Sequence, residues 1–323
     1  MTRREIAVGR CRPGLAASVV ALALVAVAGP TAMSSPAGAE PAAPESSAAP
    51  EAPALNEVDA LAQARKLKMS VEVTALKAES ARVLATPRGT LVLESYAEPQ
   101  WTRGRGGGPW RKIDTRLERR ADGSVAPVAT LTDVTFTAGG SGPTIRLPLA
   151  EGQVSLSWPG NLPAPTIDGD TAVYESVLPE VDLRLRALRD GFTWALVVRS
   201  AQAAANPALD ELRFALHTTG TLTKRSRSGG GFEVADRNGR SVLSAGGALM
   251  WDSAGVASAA QGAASRAANA FAVQGRREAL RVVPDRARKA EIPTGVQGED
   301  LVIRPDRALL RGKGTVYPVV IDP

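Results

Sequence analysis

Apolar and polar residues alternate one by one along most of the chain beyond residue 70, which is the period of a β-strand with one buried face. The segment 181–186 (VDLRLR) puts Val and Leu on one face and Asp and Arg on the other. The turn 189–191 (RDG) follows, and the segment 192–198 (FTWALVV) returns with its aromatic residues on one face. Turn signals also separate strand-like runs at 86–89 (TPRG) and 236–239 (DRNG). Many short strands with tight turns predict an all-β fold built from one or more antiparallel β-sandwiches.

Helical periodicity is confined to one short segment. Asn56 is a predicted N-cap, and the helix runs from Glu57 to about Lys68 with Asp59 in its first turn. The preceding residues 40–54 are rich in Pro, Ala, Glu and Ser and predict a disordered linker. The Pro- and Gly-containing segment 159–170 is a candidate border. The remainder therefore divides into an N-terminal β subdomain (55–160) and a C-terminal β subdomain (161–323), or forms one large β module (55–323).

The first 39 residues are typical of a secretory signal peptide. A segment with four Arg precedes an uninterrupted run of small and apolar residues, Leu15–Gly29, and Ala37-Gly38-Ala39 provides small residues for cleavage after Ala39. An uncleaved anchor is the alternative, but a membrane span needs about 20 apolar residues. The segment 2–6 (TRREI) is loosely similar to a twin-arginine signal, so the Sec and twin-arginine routes both stay open. We expect a secreted protein that has no membrane segment after cleavage.

Charge and cysteine content exclude several classes of function. The whole chain has a formal net charge of +6, of which the predicted leader carries +3, so the remainder carries +3. The arginines are scattered, which does not favour nucleic-acid binding. The one cysteine, Cys11, lies in the leader, so the mature chain is expected to contain no disulfide, thiolate nucleophile or Cys-ligated zinc.

The residues suited to catalysis are few. His217 is the only histidine; it alternates away from the apolar face of 212–216 (LRFAL), and no GxSxG motif accompanies it. A glycosidase would need only a pair of carboxylates, and five cluster in sequence: Asp168, Asp170, Glu175, Glu180 and Asp182. A secreted, carbohydrate-active hydrolase that uses such a pair is therefore the alternative to a non-catalytic module. We predict no catalytic residue, no cofactor and no metal site.

Aromatic residues suggest where a ligand would bind. Trp158 and Trp194 share a face with apolar residues of their alternating strands and are therefore predicted to lie in the core. Trp101 and Trp110 flank the Gly-rich segment 103–109 (RGRGGGP), which favours exposure. These two tryptophans are the candidate ligand residues, for example for stacking on a sugar, although packing is the more common role of such residues.

Five motifs occur in an order typical of one group of proteins: Trp110–Thr115 (WRKIDT), Trp158–Pro163 (WPGNLP), Tyr174–Leu183 (YESVLPEVDL), Met250–Ser253 (MWDS) and Tyr317–Pro323 (YPVVIDP). Over residues 60–323 the chain resembles the N-terminal β-rich region of large secreted, wall-associated proteins of high-G+C bacteria. In that group, LamG-like jellyroll domains, DNRLRE domains or RHS repeats follow this region. The resemblance implies an extracellular, non-catalytic module, and it brings no active-site residues with it.

The sequence thus predicts a non-catalytic β module, possessing no enzyme activity, for attachment, display or contact with cell-wall or extracellular polysaccharide. The final strand, 316–321, is apolar on both faces and is predicted to pair into a sheet, with Pro318 at an edge or bulge. Tyr317, Val319 and Ile321 are expected to face the core. The side with Val316 and Val320 is expected to be less covered and to receive a downstream domain or a partner chain.

Overall fold

Short antiparallel strands joined by turns are the main elements of the residues that the structure describes, as the alternating pattern predicts. The computed structural model describes residues 55–254 and 283–323. The predicted leader, the cleavage site after Ala39 and the linker 40–54 lie outside those residues. In chain order the first elements are α1 (Glu57–Leu67), β1 (Val71–Glu72), a 3-10 turn (Thr74–Leu76), β2 (Ala81–Ala85), β3 (Leu91–Ser95), β4 (Trp101–Thr102) and β5 (Arg111–Lys112).

The remaining elements build a large sandwich and a separate small sheet of three strands, Thr223–Ser226, Phe232–Ala235 and Ser241–Ser244. They are β6 (Asp114–Arg119), β7 (Val125–Ala129), β8 (Thr135–Phe136), β9 (Pro143–Leu149), β10 (Gly152–Ser157), β11 (Thr166–Asp168), β12 (Thr171–Leu178), β13 (Val181–Ala187), β14 (Phe192–Val198), α2 (Ala201–Ala204), a 3-10 turn (Pro207–Leu209), β15 (Leu212–Thr218), β16 (Thr223–Ser226), β17 (Phe232–Ala235), β18 (Ser241–Ser244), β19 (Ala248–Trp251), β20 (Lys289–Ile292), β21 (Thr294–Gln297), β22 (Asp300–Ile303), α3 (Arg307–Arg311) and β23 (Val319–Asp322).

Two large antiparallel sheets face each other. One has eight strands in the order β21-β22-β15-β10-β9-β8-β7-β6, and the other has seven in the order β11-β12-β13-β14-β23-β19-β20. Trp194 on β14 packs against Phe214 on β15 with ring centroids 4.3 Å apart, and Trp158 packs on the same phenylalanine at 5.4 Å. These contacts join the inner faces of the two sheets. The prediction of an all-β sandwich with both tryptophans in its core is therefore confirmed.

The candidate border at residues 159–170 does not separate the strands of the first sheet. β10 precedes this segment and pairs with β15, which follows it, so that Ser155 lies opposite His217. The large core also draws on both sides of the segment, because Ile145, Leu147 and Leu156 belong to the same buried cluster as Leu183 and Leu216. One sheet and one core thus contain strands from both of the ranges 55–160 and 161–323.

A small helix-and-sheet unit precedes the sandwich. α1 packs on the three-stranded sheet β1-β2-β3, and the contact is made by small residues: Ala60 and Ala64 of the helix against Val73 and Ala85. Asn56 caps the helix, since its side-chain oxygen accepts a hydrogen bond from the Asp59 amide at 2.9 Å. The helix predicted from Glu57 is confirmed, and it ends at Leu67.

The last strand lies in the middle of a sheet. β23 pairs with β14 on one side and with β19 on the other, and Val319 and Ile321 are fully buried. The prediction that the segment 316–321 pairs into a sheet is confirmed for Val319–Ile321 and is wrong for residues 316–318, which precede the strand. The prediction that Val320 lies on a less covered side is wrong: Val320 is 1 % exposed, because it packs in a second cluster with Trp251 and Ala287. Within the described residues, β23 offers neither a free edge nor an open face.

Pro318 and Tyr317 lie just before this strand. Pro318 has no amide hydrogen to donate to a β-ladder. Because it precedes β23, every position of that strand keeps its donor. The Tyr317 hydroxyl donates a hydrogen bond to the carbonyl of Leu310 at 2.7 Å, and its ring packs against the main core. The segment that leads into β23 is thereby fixed to α3.

Candidate functional site

The two candidate tryptophans lie on a hairpin formed by β4 and β5. Trp101 is paired with Lys112, and Thr102 is paired with Arg111. The Gly-rich segment 103–109 forms the tip, where Gly104 and Gly107 have φ values of 64° and 65° that glycine adopts without steric cost. Trp101 and Trp110 thus flank the Gly-rich segment as predicted, and the structure adds that this segment joins two paired strands.

The sandwich holds this hairpin in place. Thr102 is 1 % exposed, and its hydroxyl donates a hydrogen bond to the Thr130 carbonyl at 3.0 Å. The Ile113 amide donates to the Gln100 carbonyl at 2.8 Å and closes the base of the hairpin. Near the tip, Arg105 donates to the Leu149 carbonyl at 2.8 Å. The hairpin is thus anchored along its length, and the side chains opposite Thr102 have a defined place.

Four side chains share the face opposite Thr102. Side chains alternate along a strand, and directly paired residues lie on the same face, so Trp101, Arg103, Trp110 and Lys112 fall together. We call these four residues the tryptophan face. The guanidinium carbon of Arg103 lies 5.5 Å from the centroid of the Trp110 ring, a cation–π distance that agrees with this placement. Both tryptophans are partly exposed, and Lys112 is exposed.

Arg103 links the tryptophan face to the loop. Its Nε donates to the Gly108 carbonyl at 2.7 Å, and its Nη2 donates to the Gly107 carbonyl at 3.0 Å. A guanidinium group whose donors are fixed in this way presents a flat surface against Trp110. The loop tip and the Trp110 ring are therefore positioned by one side chain.

Trp101 is held mainly by the small helix-and-sheet unit that precedes the sandwich. The Lys77 Nζ lies 4.7 Å from the centroid of its ring, and the Arg82 guanidinium carbon lies 5.7 Å from it. Tyr96 meets the same ring edge-on with centroids 5.4 Å apart. These contacts pack the small unit against the hairpin, so Trp101 has a structural role in addition to any contact with a ligand. Sequence reasoning did not identify the three partners, because the packing of the small unit on the hairpin brings them to Trp101.

Acidic side chains neutralise two of the cations near Trp101. Lys77 forms an ion pair with Glu72 at 3.1 Å, and Arg82 forms one with Glu94 at 2.6 Å. The hydrogen bonds from Arg82 and from the Tyr96 hydroxyl hold the pKa of Glu94 below its usual range. Glu94 is thus a carboxylate at neutral pH and stays paired with Arg82.

The carboxylates considered for hydrolysis are bound to neighbouring side chains. Asp170 accepts a hydrogen bond from the Nε of Arg186 at 2.8 Å. Asp182 is nearly buried; it accepts from the Ser176 amide at 2.9 Å and pairs with Arg199 at 3.0 Å. Glu180 accepts from the hydroxyl of Ser200, the N-cap residue of α2. These contacts fix turns and strand ends. Among the described residues, no group of three or more His, Cys, Asp or Glu side chains is arranged to hold a metal ion.

His217 points outward, as its alternation predicts. Its side chain is 54 % exposed, and its Nδ1 lies 3.5 Å from a carboxylate oxygen of Glu299. Ser155 is its cross-strand partner, which brings a Ser, a His and a Glu to one surface of the eight-stranded sheet. The described hydrogen bonds do not join Ser155 to His217, and the Glu299 carboxylate is also paired with Lys224 at 2.7 Å. The arrangement therefore lacks the linked hydrogen bonds of a catalytic triad.

One buried carboxyl group was not identified from the sequence. Asp322 on β23 accepts a hydrogen bond from the Thr193 hydroxyl at 3.2 Å. Burial raises the pKa of Asp322 to about 7, although the hydrogen bond from Thr193 and the charge of Arg186 act to lower it. Neighbouring strands of the sheet bury this carboxyl group. The residues adjacent to Asp322 in sequence therefore gave no sign of its burial.

The cavity between the two sheets does not have the character of a binding site. A gap of about 10 Å³ lies between the two sheets and is lined by apolar side chains such as Leu147, Trp194 and Leu216, so it has no polar partners for a water molecule or a polar ligand. No helix in the described ranges has the length and the apolar content needed to cross a membrane. Comparison of the chain with family models, with curated proteins and with solved structures finds no match.

Proposed function

We propose that the chain is a secreted, non-catalytic β module that contacts polysaccharide at the cell surface through its tryptophan face. The observation that carries this proposal is the placement of two partly exposed tryptophans on one face of a hairpin that the sandwich holds rigidly. An aromatic ring offers an apolar surface on which the C–H groups of a sugar can pack. Because the hairpin is anchored, little conformational entropy is lost when a ligand binds.

The proposed extracellular setting rests on the sequence of the first 39 residues. The basic segment, the apolar run and the small residues before Glu40 form the pattern of an export signal. The resemblance to wall-associated proteins that carry LamG-like, DNRLRE or RHS regions points to the same setting, and it stays a prediction. Contact of β23 with a downstream domain or a partner chain also stays a prediction. It is not favoured, because both edges of that strand are already paired with other strands.

The carboxylates that a hydrolase would need are engaged in structural contacts, which supports a non-catalytic role. The nearly buried Asp182 and the hydrogen-bonded Asp170 hold strands and turns, and each is paired with an arginine. The outward-facing His217 is about half exposed, and the described hydrogen bonds do not join it to Ser155. We therefore favour binding over hydrolysis.

A sedimentation assay tests this function. Purified protein is mixed with insoluble cell-wall polysaccharide from a high-G+C bacterium, and the bound fraction is measured as a function of concentration. Trp110→Ala should weaken binding roughly fivefold, which corresponds to the loss of one aromatic contact, and should leave the melting temperature unchanged. Leu93→Ala is the matched control, because it removes an exposed apolar side chain from strand β3 and not from the hairpin.

Two outcomes would contradict the proposal. The wild type could fail to bind any wall polysaccharide, or Trp110→Ala could bind as tightly as the wild type. Release of reducing sugar during the incubation would instead favour the hydrolase.

A further inference from the structure

The hairpin that carries the two tryptophans is also the most one-sidedly charged segment around the site. Residues 101–113 (WTRGRGGGPWRKI) contain Arg103, Arg105, Arg111 and Lys112 and no acidic residue. The net charge of the chain without its leader is only +3. The positive charge of the hairpin is therefore a local feature and does not reflect a generally basic surface.

Most cations near the tryptophan face have partners, and two do not. Lys77 and Arg82 are neutralised by Glu72 and Glu94. Arg105 lies 3.9 Å from Asp133. In contrast, Arg111 and Lys112 are both exposed, and neither forms an ion pair with any acidic side chain in the described ranges. These two cations are available to an anionic ligand.

The position of Lys112 relates this charge to the aromatic surface. Lys112 is the direct cross-strand partner of Trp101, and cross-strand partners have Cβ atoms about 5 Å apart. A sugar residue that packs on the tryptophan face therefore lies within reach of the Lys112 ammonium group. Arg111 is adjacent in sequence and projects from the other side of the strand, where it can reach a charged group further along a polymer.

We infer that the ligand of the tryptophan face is an anionic polysaccharide, whose carboxylate or phosphate groups bind Lys112 and Arg111 while its sugar rings pack on the tryptophans. This inference rests on the proposed function and specifies its ligand. A nucleic acid shares the negative charge. However, a nucleic-acid ligand is favoured by a long track of cations, and this site has two free ones. Nucleic acid is therefore treated as a competing outcome of the test.

The test measures affinity for three soluble polymers by isothermal titration at several salt concentrations. Polygalacturonate supplies carboxylates, poly(glycerol phosphate) supplies phosphates, and dextran is neutral. We expect binding to at least one of the anionic polymers that is tighter than binding to dextran by a factor of ten or more and that weakens as salt is raised. The preferred anionic polymer identifies the charged group.

Substitutions locate the charge effect. Lys112→Gln and Arg111→Gln should each lower the affinity for the anionic polymer roughly threefold at low salt. Each should also reduce the slope of log affinity against log salt by about 1. Lys313→Gln is the matched control, because Lys313 is an exposed lysine in the loop after α3 and outside the hairpin. It should change neither quantity.

The possible failures are distinguishable. Binding to dextran as tightly as to the anionic polymers, with no salt dependence, would overturn the inference and leave the proposed function standing. Binding to none of the polymers, together with no sedimentation with cell walls, would overturn both. Tighter binding to single-stranded DNA than to either anionic polysaccharide would overturn the inference in favour of a nucleic-acid ligand.

Discussion

Asp322 should make the protein less stable as the pH rises from about 4 to about 7. Burial raises the pKa of this carboxyl group from 3.8 to about 7 in the folded protein. Below pH 4 the group is protonated in both the folded and the unfolded states. Between the two pKa values the folded state binds more protons than the unfolded state, so the free energy of unfolding falls as the pH increases.

The size of the effect follows from the shift in pKa. A shift of about three units corresponds to about 4 kcal/mol at about 1.4 kcal/mol per unit, which is an upper limit because Asp322 retains some exposure. Asp322→Asn keeps the shape of the side chain and its acceptor for Thr193 but cannot ionise. We expect the variant to be more stable than the wild type by about 2–4 kcal/mol at pH 8 and to be nearly equal to it at pH 4.

Urea denaturation followed by tryptophan fluorescence at pH 4, 6 and 8 measures this difference. Thr193→Val is an informative second variant, because the Thr193 hydroxyl favours the charged form of Asp322. Its removal should raise the pKa of Asp322 further, so that the loss of stability between pH 4 and pH 8 is larger and continues to higher pH than in the wild type. A difference between Asp322→Asn and the wild type that is the same at all three pH values would refute the reasoning, as would a less stable variant at pH 8.

Three further predictions concern the fold. His217→Ala should change the free energy of unfolding by less than about 1 kcal/mol, because the side chain points outward and is about half exposed; a loss above about 2 kcal/mol in urea denaturation would show a buried role. Leu93→Lys should change stability by less than about 0.5 kcal/mol and should reduce light scattering at high concentration, because Leu93 is 63 % exposed on the edge strand β3; unchanged scattering or a large loss of stability would contradict the exposure of this strand. Deletion of residues 314–323 should produce an insoluble or protease-sensitive chain, because β23 is a central strand; a truncated protein with an unchanged melting temperature would show that the strand is dispensable.

Local patterns in the sequence were sufficient to predict the strands, the turns and the helix. The alternation in 181–186 places Val181, Leu183 and Leu185 in the core, and the structure follows it. Asp182, on the opposite face, is also buried, where it accepts from the Ser176 amide and pairs with Arg199. Asn56 caps the helix because the interaction involves residues only three apart. Such features depend on neighbours in the chain, which a sequence pattern contains.

The position of the last strand could not be predicted in the same way. Val320 belongs to a segment that is apolar on both faces, and this pattern is typical of a strand covered on both sides. We interpreted one of the two faces as open. The cover comes from Trp251 and Ala287, which are distant in sequence, so no local pattern could have identified it.

The candidate site shows the same division. The glycine-rich segment between Trp101 and Trp110 predicted exposure of both residues, and both are partly exposed. The hairpin that carries them was not predicted. The contacts of Trp101 with Lys77 and Arg82 depend on the packing of the small helix-and-sheet unit, and the burial of Asp322 depends on its strand neighbours. Side-chain environments set by nonlocal packing were therefore missed.

The most direct test of the central claim is to map the ligand contact on the protein. Backbone amide chemical shifts are recorded by NMR while the anionic polymer that binds in the titration is added. The account predicts that the largest shifts occur at residues 101–112, with Trp110 and Lys112 among them, and that the Lys112→Gln variant needs more polymer to reach the same shifts. Shifts concentrated on strand β3 or around His217, with the hairpin unchanged, would contradict the assignment of the tryptophan face as the binding site.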